Sequence, residues 1–115
     1  MASPATYNQV VPQATTYTFQ FQIQDSVTGP WDLTDYLVTM TVRPFAGSTT
    51  VTILATNLNG KISVDGPEGR VTVTLSALDT AIKAEPYVYD LMLDSGSVVT
   101  RALEGQFIVT AGVTV

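Results

Sequence analysis

The sequence predicts an all-β fold, an antiparallel β-sandwich of about seven strands with one short helical turn and an extended N-terminal arm. Three observations predict it. Apolar and polar residues alternate with period two in several short runs, the pattern of a strand buried on one face. Gly, Pro, Asn and Asp punctuate those runs every ~8–12 residues, close enough for hairpins and too close for helical crossovers. Of the 115 residues, 45% are hydrophobic and 13% charged, which supplies one two-layer core and excludes a disordered chain.

Residues 1–14 hold Pro4 and Pro12 among small polar residues, around the apolar pair Val10-Val11. They predict an arm without regular structure of its own. The sandwich is expected over 15–115. Its clearest strand is residues 17–24, where Tyr17, Phe19, Phe21 and Ile23 alternate with Thr18, Gln20, Gln22 and Gln24. Thr28-Gly29-Pro30 marks a turn within 25–32, and Leu33-Thr34-Asp35-Tyr36 leads into the next strand. There Val38, Met40 and Val42 alternate with Thr39, Thr41 and Arg43, until Pro44, which has no N–H to give a ladder. After Gly47-Ser48, Val51, Ile53 and Ala55 alternate with Thr50, Thr52 and Leu54. Asn59-Gly60, both tolerant of positive φ, then turns the chain into a short strand at 61–64.

Beyond the turn Asp65-Gly66-Pro67-Glu68-Gly69, Val71, Val73 and Leu75 alternate with Thr72 and Thr74. Residues 76–82 break the alternation, and Ser76 with Asp79 three positions on has the spacing of a capped helical turn. Tyr87, Tyr89, Leu91 and Leu93, opposite Val88, Asp90, Met92 and Asp94, restore period two. Asp94-Ser95-Gly96-Ser97 makes a tight hairpin into a last strand over 98–109, which Val113 and Val115 continue past Gly112. Hairpin neighbours pair directly, so two packed sheets are the natural solution and the expected sandwich is immunoglobulin-like. A small barrel is the alternative that strand number leaves open.

Composition narrows the function classes. Ten acidic and five basic residues give a net charge of −5, and the bases (Arg43, Lys61, Arg70, Lys83, Arg101) are scattered. Nucleic-acid binding needs a basic stripe to displace counterions from phosphates, and anionic lipid surfaces need the same; neither partner is expected. Residues 1–6 lack the basic and apolar regions of a secretory signal, and no apolar run approaches the ~18 residues of a membrane span, so a soluble chain is expected. With so few charges, much of the surface is Thr, Ser, Asn and Gln. Such a surface suits broad protein contacts, since little charge is desolvated on docking, and it equally suits an ordinary Thr-rich sandwich.

Cysteine and histidine are both absent from the sequence. The commonest nucleophilic, acid–base and metal constellations therefore cannot be built, and no catalytic residue, metal or cofactor is expected. Asp25, Asp32 and Asp35 share one region and could supply oxygen ligands to calcium, but they lack the tight alternating spacing of a dedicated loop. Asp90 and Glu104 fall on predicted strands with Arg101 as an ion-pair partner, which sets salt bridging against a glycosidase-type carboxylate pair. Tyr87, Tyr89, Phe19 and Phe21 lie on the face that alternation assigns to the core. Trp31, after Gly29-Pro30 in a loop, either anchors a partner or plugs one end of the sandwich. Val10 and Val11 are the candidate anchors of an arm that orders on a neighbouring subunit.

Several stretches taken in order resemble a domain of tailed-phage structural proteins. They are Tyr17-Thr18-Phe19-Gln20-Phe21, Trp31-Asp32-Leu33-Thr34-Asp35-Tyr36 and Val38-Thr39-Met40-Thr41-Val42-Arg43. Gly69-Arg70-Val71-Thr72-Val73-Thr74-Leu75-Ser76, Ala77-Leu78-Asp79-Thr80, Tyr87-Val88-Tyr89-Asp90-Leu91 and Gly105-Gln106-Phe107-Ile108-Val109 follow, so that the likeness spans roughly residues 15–110. Together they look like the immunoglobulin-like N-terminal domain of baseplate upper proteins and related tail fibre proteins. The resemblance implies attachment and not catalysis: a non-enzymatic virion protein, present in many copies or as a homo-oligomer, made in the host cytoplasm and bound to other virion proteins. Because no shaft or tip follows residue 115, the expected role is capsid decoration or cement on the major capsid protein, with a tail or baseplate adaptor as the alternative. A carbohydrate-binding module built on Trp31 and Tyr36, or a calcium-dependent adhesion module, are the readings from other classes. If residues 1–14 are a docking arm, their removal is expected to leave the fold intact.

Overall fold

The computed structural model describes residues 5–25 and 29–111. The strands are β1 (Ala5–Thr6), β2 (Gln9–Pro12), β3 (Tyr17–Gln22), β4 (Gln24–Asp25), β5 (Gly29–Pro30), β6 (Leu37–Arg43), β7 (Ile53–Thr56), β8 (Ile62–Asp65), β9 (Arg70–Leu75), β10 (Pro86–Asp94) and β11 (Val99–Thr110). The larger sheet runs β1-β11-β10-β6-β7, with β2 also on β11; the smaller runs β3-β9-β8; β4 and β5 form a short ribbon. The predicted period-two runs fall on β3 and on β6 to β11, while β1, β2 and the ribbon are additional. Among the described residues the ladders form separate sheets and not one closed barrel.

The two sheets turn their apolar faces into one core. Val38, Met40 and Val42 of β6, Leu91 and Leu93 of β10 and Phe107 of β11 are fully buried, as are Val71, Val73 and Leu75 of β9. Their outward neighbours Thr39, Thr41, Thr72 and Thr74 are partly or fully exposed, so the binary pattern of the sequence is the burial pattern of the strands. Tyr17, Phe19 and Phe21 point the same way but are only half-buried, because β3 is the edge of its sheet and no described strand lies beyond it. β10 and β11 form the longest hairpin, with a register shift at Leu91/Met92 that sets Met92 opposite Arg101.

Three expectations are corrected. The first is the unstructured arm over 1–14. Within it, β1 and β2 pair parallel with β11, Val11 opposite Val109 and fully buried, Val10 opposite Ile108 and exposed. Gln9 occupies a core position, which conceals the alternation from a hydrophobic pattern, and Pro12 sits at the strand end, where its missing N–H is least felt. The second is the helical turn at 76–82. No helix occurs among the described residues; the segment makes one turn, with Thr80 N–H donating to Ser76 C=O at 3.2 Å. The third is Val51, expected in the core and found exposed. β7 starts only at Ile53, opposite Val42; before it, Thr52 N–H donates to Val42 C=O and the Arg43 guanidinium binds the carbonyls of Ser48 and Thr50. The continuation through Val113 and Val115 lies outside the described residues.

Candidate interaction surfaces

The outward face of β6, β10 and β11 carries an open depression of about 650 Å³, bordered by the 46–48 loop. Its charged groups neutralise one another. Arg101 Nε lies 3.4 Å from Asp90 and its terminal nitrogen 3.8 Å from Glu104, while Arg43 is spent on the carbonyls of the 48–50 loop. Asp90 and Glu104 face each other across the β10–β11 ladder with Arg101 two pairs along, opposite Met92, the ion-pair arrangement that the sequence suggested. At a solvated sheet face such ion pairs add at most about 1 kcal/mol each.

Residues 31–36 pack Trp31, Leu33 and Tyr36 on the core. Trp31 is half-buried against the core and meets Tyr36 edge-on at 6.2 Å. Leu33 is buried, and its N–H donates to Gly66 C=O at 2.7 Å. Asp32 accepts from the Thr34 N–H at 2.9 Å and from the Thr34 hydroxyl, and these bonds hold its carboxyl below the usual range. Asp35 adopts φ of 66° to complete the turn. Of the three acids that could suggest calcium, Asp32 is thus engaged in its own turn, and the Asp25 side chain lies outside the described residues. Among the described residues no cluster of three acids is placed to hold a metal ion.

The N-terminal strands bind the core through polar atoms as well. Tyr89 donates its hydroxyl to the Tyr7 carbonyl, and Tyr17 donates to Gln9 Oε1 at 2.8 Å. Burial pushes both phenols up, the Gln9 hydrogen bond partly opposing it at Tyr89. Asn8 Oδ1 accepts from the Gln106 N–H at 3.0 Å, and Gln13 Nε2 donates to Ile82 C=O at 2.7 Å. Of the two proposed anchors, only Val10 is presented to solvent; Val11 belongs to the core.

At 76–80 the expected cap is present. Asp79 N–H donates to Ser76 Oγ at 3.1 Å and Ser76 N–H to Asp79 Oδ2 at 2.9 Å, while Lys61 Nζ grips both carboxylate oxygens at 2.7 and 3.0 Å. Partial burial raises the Asp79 carboxyl, but the Lys61 and Ser76 hydrogen bonds and the Lys61 charge outweigh it, so its pKa lies below the ordinary 3.8. A depressed folded pKa means that this stabilisation is complete above the ordinary value and fades as pH falls through the folded one. Asp79→Ala is expected to cost about 1–2 kcal/mol at neutral pH. Urea denaturation at pH 7 and pH 3 should show the gap between variant and parent narrowing in acid; an equal gap at both would refute the ionic contribution.

Exposed apolar side chains gather along one stretch that pattern reading passed over. Phe45, Val51, Leu54 and Leu58 are 62%, 46%, 47% and 82% exposed, before, on and after β7. The chain has no charged residue from 44 to 60, and that run was the available signal. Comparison with known proteins finds no family model that matches the sequence and no matching curated protein.

Proposed function

We propose that this protein is a non-enzymatic structural module of a tailed-phage particle, docked on a neighbouring virion protein through the uncharged flank around β7. The observation that carries the docking is the segregation of charge. In a chain of net charge −5, residues 44–60 bear none and expose four large apolar side chains, so a partner can cover them without desolvating an ion. The particle assignment rests on the resemblance to baseplate upper and tail fibre domains. An immunoglobulin-like arrangement is supported by the strand orders. β3-β9-β8 corresponds to strands B-E-D of that fold and β7-β6-β10-β11 to C′-C-F-G, with β1 and β2 as an A strand moved onto G.

The resemblance favours the tail or baseplate over the head. Many copies on a symmetric particle would let a weak apolar contact act with high effective concentration. Immunogold electron microscopy of purified particles tests the reading, with label on the tail expected. Label spread over the head lattice would establish capsid decoration instead, and unlabelled particles would end the virion assignment.

A further inference from the structure

We propose that Asn59 is a site of spontaneous deamidation, where loss of the side-chain amide breaks a latch on β7 and puts a charge into the uncharged flank. The inference goes beyond the particle reading, and its chemistry holds or fails independently of it. The chain has three asparagines. Asn8 Oδ1 accepts from Gln106 N–H at 3.0 Å, and Asn57 binds Val38 N–H and Tyr36 C=O at 3.2 and 2.9 Å. Asn59 serves β7. Asn57 N–H donates to Val38 C=O, so the odd-numbered main-chain groups of β7 face β6 and those of Leu54 and Thr56 face away. Asn59 Nδ2 donates to Leu54 C=O and Asn59 Oδ1 accepts from Thr56 N–H, both at 3.0 Å. The side-chain amide thereby takes the place of a neighbouring strand.

Only Asn59 of the three precedes a glycine. The main-chain nitrogen of Gly60 can attack Asn59 Cγ with no Cβ of its own to obstruct the approach. The new N–Cγ bond closes a five-membered succinimide as the Cγ–Nδ2 bond breaks, and the Gly60 amide proton leaves with Nδ2 as ammonia. Water then opens one of the two imide bonds. The product is an aspartate, or an isoaspartate in which the main chain runs through Cγ. No co-reactant other than water is needed. Gly60 has φ of +84°, and a Cβ built on it would meet nothing within 4 Å, so the turn is open on that side.

The fold slows this step without preventing it. Ring closure takes the Asn59 side chain away from Leu54 and Thr56, and from the Lys61 N–H that donates to Oδ1 at 3.1 Å. The same turn is held by Leu58 and Asn59 N–H groups donating to Thr56 Oγ1 at 3.1 and 2.9 Å. All these bonds are exposed, and an exposed turn opens locally far more often than the domain unfolds. After conversion the donor to Leu54 C=O is gone, and in the aspartate product an anionic oxygen stands in its place. The new charge falls in the run 44–60, which otherwise has none, in a chain already at −5. A partner covering the flank would then have to desolvate an ion next to Leu58, a consequence that rests on the docking reading above.

Peptide mapping by mass spectrometry tests the step on the intact chain, held for days in mildly alkaline buffer beside the same chain unfolded in urea. Conversion at Asn59 is expected while Asn8 and Asn57 keep their amides, at a rate in the fold about tenfold or more below that in urea. The product, separated by its added charge, should melt a few degrees below the parent, and Asn59→Asp should reproduce the fall. Asn59→Ala, which loses the same donor and cannot form the imide, is the second variant should Asn59→Asp fold poorly. A native chain that keeps its Asn59 amide while the unfolded chain loses it, equal rates in both, or a product that melts with the parent would overturn the inference. Competition between the parent and Asn59→Asp for incorporation into particles reads the docking separately. The parent is expected to be favoured; equal incorporation would leave the deamidation standing and count against docking through this flank.

Discussion

Deleting residues 1–12 is expected to unfold the domain or to leave it severely destabilised. The deletion strips β1 and β2 from β11 and takes Val11 out of the core. Burying a valine is worth about 1.5–3 kcal/mol. It also removes the acceptors of two phenols, the Tyr7 carbonyl from Tyr89 and Gln9 Oε1 from Tyr17. Tyr89 is buried, so its hydroxyl would be left without a partner, and such a loss costs about 1–3 kcal/mol for each group. The sum is of the order of 5 kcal/mol, against a total stability of roughly 5–15 kcal/mol for a typical domain. Urea denaturation followed by circular dichroism reads this directly. A truncated chain with the parent's midpoint would restore the dispensable arm that the composition of residues 1–14 suggests.

What was legible in the sequence follows from how each strand is buried. β6, β9 and β10 are central strands with one face in the core, so buried and outward positions alternate without exception; every buried position is apolar and the pattern reads directly, although Leu37, Val88 and Met92 are apolar on the outward side. β2 is illegible because its inward residue Gln9 is polar, and the Tyr17 hydroxyl, eight residues on, helps to make that position tolerable. Val51 continues the alternation of β7 and yet lies outside, since Arg43 draws the preceding loop away by hydrogen bonds that no pattern contains. The capping pair Ser76 and Asp79 was readable as local chemistry; Lys61 was not, because it reaches them from the start of another strand. Of the candidate partner-binding residues, the period-two logic could have separated Val10 from Val11. The half-buried position of Trp31 depends on the core, on Tyr36 and on the turn at Gly66–Gly69, against which its loop is hydrogen-bonded, and none of these is legible locally.

The contrast between β3 and β7 shows why edge behaviour needs the folded structure. Both are uncharged strands with apolar residues, and the sequence alone offers no reason to distinguish them. The Asn59 amide closes one, while the other is left with an aromatic stripe that its own sheet does not cover.

Gly69→Ala is expected to be among the most damaging single substitutions, costing about 3–4 kcal/mol, at the upper end of what point changes do. Gly69 is buried with φ of +63°, a conformation that costs an alanine about 1–2 kcal/mol on its own. A methyl there would lie 2.6 Å from the Ile23 carbonyl oxygen, closer still to that of Trp31, and 3.1 Å from the Trp31 nitrogen. These are backbone atoms, and they are tied together: Ile23 N–H donates to Gly69 C=O at 2.7 Å and Trp31 N–H to Ile23 C=O at 2.9 Å. No side chain can swing aside, so the three segments must separate, and Trp31 moves with them. The chain has a single tryptophan, and its emission therefore reports the crossing locally. The expected result is a melting temperature lowered by at least ~10 °C, together with a red-shifted Trp31 emission in the folded variant. A drop of only a few degrees with unchanged emission would mean that these segments yield independently. Trp31 would then be held by the core and Tyr36 alone, and the turn at Gly66–Gly69 would not set its position.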